Sequence, residues 1–379
     1  MRLLIRSTVV ALSMFAFHSS ASATVQHCYH DLQQQRTCGN RVVEVVFVLD
    51  TTGSMAQLIS GAKQKIWSIA NEIVENDANA IVRMGLIGFR DIGDAYVTKF
   101  FDLTEDIDAL YGKLLAFRAK GGGDTPESVN QALHEAVDRA SWTHWGGRRN
   151  IRLVFLAGDS PPHMDYAHDV KYPRSMSIAR HRGITVHTLQ AGRNSMTKYI
   201  WKDIARLGGG IYAQIPQSGN VQVITTPYDE QIGQLQRQLE DTVMPYGDER
   251  LRESYRQKIE TRRVGSSSAS SADRAEYRAK KHGKREVVTG GGDLLAEIAA
   301  GTVELDALDD HKLSRELRAA STAERKAIIA DKARQRAAVD ETLNELLAKR
   351  ERYLKEHSPK LREPDAFDLV IRKSIKSAF

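Results

Sequence analysis

The chain is 379 residues long, carries a formal charge of +6, is 41% hydrophobic and 27% charged, and has two cysteines. That length exceeds one ordinary domain and leaves ample apolar material for a core, so one full domain plus a second region is expected. So small a charge excess gives no ground for a nucleic-acid role, and two cysteines exclude a densely disulfide-stapled scaffold.

At the N-terminus Arg2 and Arg6 precede an apolar stretch from Thr8 to Phe17, and Ala21-Ser22-Ala23 has the A-x-A form of a cleavage site. Residues 1–23 therefore read as a leader peptide, and the mature chain is expected to begin at Thr24, exported to the periplasm or secreted. The apolar stretch is well short of the ~20 residues a spanning helix needs, and no later segment is long or apolar enough to cross a membrane. In an oxidising compartment Cys28 and Cys38 are expected to form a disulfide within the segment 24–41. Zinc held by these cysteines with His27 and His30 is the alternative.

From about Val42 the pattern alternates between apolar runs and helical segments. Strands are predicted at 43–49, 81–89, 95–101, 151–157, 184–190 and 211–214, and helices at 56–77, 105–117, 126–141, 171–181 and 196–206. This alternation predicts a doubly wound, mainly parallel sheet across residues 42–245. Asp91-Ile92-Gly93-Asp94 reads as a turn between two strand-like runs, which predicts one antiparallel edge strand. A helix around Asp229–Met244 should end near Pro245. Charged helix follows to about Arg263, and "GSSSASSA" at 265–272 reads as a flexible linker within the stretch 246–292. The basic run "RAEYRAKKHGKR" after it reads as a solvated tether.

Residues 293–379 are expected to be helical and charged. Val339, Leu343, Leu346, Arg350 and Tyr353 form an apolar stripe at heptad spacing, short and interrupted by an arginine. That predicts a helical hairpin packed on itself or on the first domain, or a surface for self-association, more than an extended coiled coil. Because the stripe is thin, a truncation near Val264 is expected to leave the first domain folded.

Three loops carry oxygen-bearing side chains to one edge of the predicted sheet. In "VFVLDTTGSM" four apolar residues run into Asp50, and hydroxyls follow at Thr52 and Ser54. "AKGGGDTPESVNQAL" places Thr125 in a Gly-rich loop before a helix that is expected to have Pro126 in its first turn. "IRLVFLAGDSPPH" delivers Asp159 at the end of another buried strand. Asp50, Thr52, Ser54, Thr125 and Asp159 are all oxygen donors, a set suited to a hard divalent cation: Mg2+ first, then Mn2+, with Ca2+ less suited. Neutral hydroxyl ligands would leave the metal much of its charge and an open position for an anionic oxygen.

Asp50-Thr51-Thr52-Gly53-Ser54, Thr125 and Asp159 resemble the three parts of the metal-ion-dependent adhesion site of von Willebrand factor type A domains, the likeness covering roughly residues 42–245 and including "FRD" and "GGGDTPE". The resemblance implies that Thr52, Ser54 and Thr125 touch the metal, that Asp50 and Asp159 act directly or through water, and that an Asp or Glu of a partner protein completes the shell. It thus implies binding and not turnover. A second resemblance is to haloacid-dehalogenase-type phosphoryl transferases. It would make Asp50 the nucleophile and Asp159 with Asp165 the magnesium holders, but those phosphatases need a general acid where Thr52 stands. His163 and Asp165, just beyond Pro161-Pro162, are read as the rim of the partner surface or as partners within their own loop.

Overall fold

The computed structural model describes residues 40–123, 125–143, 150–217, 224–281, 286–357 and 366–379. The leader at 1–23, the cysteines Cys28 and Cys38, and His27 and His30 lie outside the described residues. Among those described, no helix is long and apolar enough to cross a membrane.

The sheet is built from β1 (Val42–Asp50), β2 (Ile81–Phe89), β3 (Thr98–Thr104), β4 (Ile151–Gly158), β5 (Thr185–Ala191) and β6 (Gly209–Ile215) in the order β3-β2-β1-β4-β5-β6. All pairings are parallel except β3 on β2, the antiparallel edge that the Asp91–Asp94 turn foreshadows. β1 is buried along its whole length, as a central strand covered on both faces must be. Glu44, the acid inside its run, is opposite Arg83 of β2 and Arg152 of β4 in register and ion-pairs with both, at 2.5 and 3.4 Å. The acid therefore pins three strands at their amino edge instead of breaking the middle one.

Successive residues of β1 point to opposite faces and build two cores. Val43, Val45, Phe47 and Leu49 pack against α1 (Ala56–Asn76) and α2 (Ile107–Ala116). Val46 and Val48 join β4 residues under α3 (Val129–His134), α4 (Tyr172–His181) and α5 (Ser195–Leu207). The helix predicted from 126 starts later. Glu127 and Ser128 donate their main-chain N–H groups to Pro161 O and Arg90 O, at 3.0 and 3.1 Å, so the chain stays out of the helix until Val129. Pro126 follows a cis peptide and is not in the first helical turn.

The remaining helices are α6 (Asp229–Asp241), α7 (Glu249–Gly265), α8 (Ser268–Lys280), α9 (Leu294–Ala299), α10 (Arg315–Ala319), α11 (Thr322–His357) and α12 (Ala366–Ala378). They correct the sequence reading at two points. The stretch expected to be a flexible linker caps and begins α8: Ser267 Oγ accepts from Ser270 N, and Ala269, Ser270 and Ala272 are buried. Serine and alanine are small enough for a helix to lie close against α1, and Tyr277 of α8 packs 5.8 Å from the Trp67 ring. The described part of the basic run that follows, 274–281, is not a solvated tether, since Arg274 and Arg278 are buried. Arg274 and Arg262 converge on Asp108 of α2 at 2.7 and 2.9 Å.

The stripe on α11 is covered within the chain. Leu343, Leu346 and Leu347 pack with Ile232, Leu235 and Leu239 of α6 and Ala272 and Ala275 of α8. The interrupting Arg350 is buried against Asp229, Asp273 and Glu276 at 2.9, 2.6 and 2.7 Å. Val370, Ile371 and Ile375 of α12 enter the same core as α1. The C-terminal helices thus complete the first domain's core, against the expectation that they are separable from it.

Candidate functional site

A strand order in which β1 lies between β2 and β4 makes the chain leave β1 and β4 toward opposite sides. The crevice between their carboxyl ends is where ligands enter folds of this kind. Asp50 ends β1 and Asp159 immediately follows β4, so the topology brings these two predicted acids to that crevice. Gly158 makes the approach possible: a Cβ there would stand 2.9 Å from Asp50 Cβ.

Asp50 is fully buried, and its Oδ1 accepts from Thr52 N at 2.8 Å and from Thr52 Oγ1 at 2.7 Å. Thr52 Oγ1 lies 3.3 Å from Ser54 Oγ. Neighbouring oxygens in an octahedral Mg2+ shell are about 3 Å apart, given metal–oxygen distances of ~2.1 Å, so the file of Asp50 Oδ1, Thr52 Oγ1 and Ser54 Oγ has that spacing. By giving its proton to Asp50, the Thr52 hydroxyl keeps its lone pairs for another acceptor of electrons. Asp50 Oδ2 is buried without a normal hydrogen-bond partner, a costly state for a carboxylate oxygen. Thr51, between the two, is turned away: its hydroxyl donates to Phe89 O and meets Tyr96 OH, at 2.8 and 2.7 Å.

The Gly-rich loop lies against this turn. Gly53 N donates to Gly121 O and Lys120 N to Thr51 O, at 3.0 and 3.1 Å. Gly122, at φ +76, passes so close that a Cβ would meet Thr52 Cβ at 2.8 Å. Thr125 is exposed on the same loop, at the cis peptide with Pro126. Asp159 is half-buried, its Oδ2 accepting from Gln217 Nε2 at 2.6 Å and its main-chain oxygen from Thr197 Oγ1 at 3.0 Å.

Glu127 is a part of the site to which the sequence reading gave no role. It is buried, its Oε2 has no hydrogen-bond partner, and burial followed by the charges of Asp50, Asp91, Asp94 and Asp159 pushes its carboxyl up to about 8. Asp50 is pushed up to about 7 by burial first, with the Thr52 hydrogen bonds opposing it, the Asp159 charge adding to it and the Asp159 backbone N–H opposing it in turn. The acidity of "GGGDTPE" was visible, but not that its last residue turns inward. Among the described residues no three His, Cys, Asp or Glu side chains converge as a metal-binding group, so a cation here would depend on the hydroxyls as much as on the acids.

His163 is buried and stacked on Tyr166, with ring centres 3.9 Å apart, between Asp91 Oδ2 at 3.4 Å and Asp165 Oδ1 at 2.8 Å. Asp91 also accepts from Ser128 Oγ and Tyr166 OH at 2.7 and 2.8 Å, which ties the loop after β2 to the segments that follow Thr125 and Asp159. The Asp165 side chain is 74% exposed and already held by His163, while Asp50 has one oxygen committed to Thr52. Nothing in this arrangement favours the phosphoryl-transfer reading.

Residues 44–144 match the family model described as von Willebrand factor A domain. A 122-residue stretch, 32% of the chain, is 31% identical to an ariadne-like RING finger protein of Acanthamoeba polyphaga mimivirus and covers 11% of that protein. A 94-residue stretch, 24% of the chain, is 39% identical to von Willebrand factor A domain-containing protein 7 of Rattus norvegicus, covering 10% of it. The chain thus spans about a tenth of the length of these curated relatives. Among solved structures, the SpRpn10 VWA domain is similar over 46% of this chain and 88% of its own, at 13% identity and a TM-score of 0.35. An aerotolerance-related membrane protein of Bacteroides fragilis is similar over 46% and 92%, at 18% and 0.32.

Proposed function

Starting from a chain whose residues 44–144 match the von Willebrand factor A domain, a family of interaction modules, we propose an exported protein-binding module that captures an acidic group through a divalent cation. Thr52, Ser54 and Thr125 would hold Mg2+ or Mn2+ with Asp50 and Asp159 in support, and the ion would supply Lewis-acid charge for an Asp or Glu of a partner protein. The observation that carries this reading is the fully buried Asp50 Oδ2, without a hydrogen bond of normal geometry, beside a file of three oxygens 2.7 and 3.3 Å apart. The cation's charge would also let Asp50 and Glu127 ionise together, which burial and mutual repulsion oppose. The chain's part is to hold the donors still: Gly53 and Lys120 clip the two loops, and Gln217 orients Asp159. The leader-like pattern of residues 1–23 is what supports the exported part of this reading.

Calorimetric titration of the full chain with Mg2+ and Mn2+ tests the reading. Asp50→Asn and Asp159→Ala should each weaken binding by roughly tenfold or more, the scale of losing a ligand's support, with Ser54→Ala as a variant that leaves the buried core intact. Unchanged titrations in all three, with melting temperatures showing folded protein, would sink the assignment.

A further inference from the structure

Large apolar side chains on a folded surface are informative where they cluster. Six are exposed among the described residues, and two of them, Leu251 and Val264, belong to α7. The other four are Ile92, Met164, Met196 and Tyr199, exposed by 62, 47, 60 and 75%. All four sit on segments that leave the carboxyl edge of the sheet, each within a few residues of a group in the site. Ile92 follows Asp91, which binds Ser128 and Tyr166. Met164 follows His163, the neighbour of Asp91, and its sulfur accepts from Asn130 Nδ2 at 3.7 Å. Met196 precedes Thr197, whose hydroxyl holds the Asp159 main chain, and Tyr199 is three residues further along α5.

Cations are exposed on the Gly-rich loop and at the start of α5. Lys120 lies on the Gly-rich loop, and Arg193 and Lys198 flank Met196. Asp165, the acid exposed nearby, is already bound by His163. Half-buried Asp94 is likewise taken up, accepting from Gly122 N at 3.1 Å. The rim therefore offers apolar and basic side chains around the buried oxygens of Asp50 and Thr52 and the exposed hydroxyls of Ser54 and Thr125. An anionic glycan would satisfy the basic groups but leave the four apolar side chains in water, and a plain hydrophobic patch on a partner would leave the cations unused.

Resting on the reading above, we propose that the partner is a protein segment presenting an Asp or Glu between large apolar side chains, the acid reaching the cation while its neighbours cover Ile92 and Met164 on one side and Met196 and Tyr199 on the other. Methionine suits this role because its unbranched, polarizable side chain adapts to varied apolar shapes. The face thus selects a motif in addition to a charge.

The experiment is selection of a displayed library of random dodecapeptides on the full chain in Mn2+, with elution by EDTA. Eluted peptides should carry Asp or Glu with Leu, Ile, Met, Phe, Trp or Tyr beside it. A selected peptide should bind roughly tenfold or more weakly to Ile92→Ser/Met164→Ser/Met196→Ser/Tyr199→Ser, the scale of one or two apolar side chains left uncovered. That variant should titrate Mn2+ as the parent does. Acidic peptides without apolar neighbours, or equal affinity for the four-serine variant, would overturn the surface assignment and leave the metal reading standing. Enrichment indifferent to EDTA, in a chain that takes up no Mn2+, would overturn both. Self-association of the parent that the four-serine variant loses would make a second copy the occupant and likewise overturn the proposal.

Discussion

His187 is a buried base with one nitrogen satisfied and one not. Its Nδ1 accepts from Ile211 N at 3.1 Å and lies 3.2 Å from Ser374 Oγ, while Nε2 is buried without a hydrogen-bond partner. The ring stacks on Phe155 with centres 5.0 Å apart, and burial pulls its pKa down from 6.5 to about 4. The sign follows from which state takes the proton. Below pH 6.5 the unfolded chain binds a proton that the folded chain refuses until near pH 4, so stability is undiminished above pH 6.5 and falls between those values. The loss should approach ~3 kcal/mol for this residue alone. Urea titrations from pH 7 to 4 should show a shallower decline in His187→Gln than in the parent; parallel declines would remove His187 from the account.

Among the elements, α11 owes its place to a residue that looks wrong in its own stripe. An arginine in a heptad seam reads from sequence as an interruption, yet Arg350 meets one carboxylate from α6 and two from α8. Removing it would leave Asp229, Asp273 and Glu276 facing one another in a buried space. Arg350→Ala should therefore cost ~3–5 kcal/mol in chemical denaturation, whereas Arg352→Ala, two residues on and exposed, should stay within ~0.5 kcal/mol. Equal effects would mean the cluster contributes nothing beyond surface charge. Arg336 of α11 repeats the device against Asp293 at 2.6 Å and Thr242 at 2.9 Å.

For the molecule as a whole the question is whether the sheet domain can stand without its C-terminal helices. Tyr277, Val370, Ile371 and Ile375 are part of the core that covers α1, and Asp108 is buried between Arg262 and Arg274. Burial alone would raise the Asp108 carboxyl, but the two guanidinium groups overcome it and hold the acid well below the usual range. A chain ending at Val264 would keep the Asp108 carboxylate and lose Arg274, exposing the outer face of α1 as well. Such a truncation should be insoluble or lack a cooperative unfolding transition, and the intact chain should unfold in a single transition by fluorescence and circular dichroism. A soluble, cooperatively melting truncation would restore the two-part organisation that the composition suggested.

The sequence by itself determined the number and order of the strands of the sheet domain, because burial on both faces demands continuous apolar runs and a central strand such as Val42–Asp50 can hardly be disguised, while the edge strand β3 and α3 begin three residues later than expected. It also determined the chemistry available at the carboxyl edge, since Asp50, Thr52, Ser54, Thr125 and Asp159 lie just past predicted strands or in a glycine-rich loop. Only the tertiary structure decided that β1 and β4 are neighbours, which sets Asp50 and Asp159 in one crevice, and that Glu127 turns inward to join them. Composition misread the serine-rich stretch and the basic run after it for the same reason. Small residues and arginines look solvated in a linear chain, and become interior only when α1 and the matching carboxylates, Asp108 for Arg274 and Asp340 for Arg278, 166 and 62 residues away, close over them.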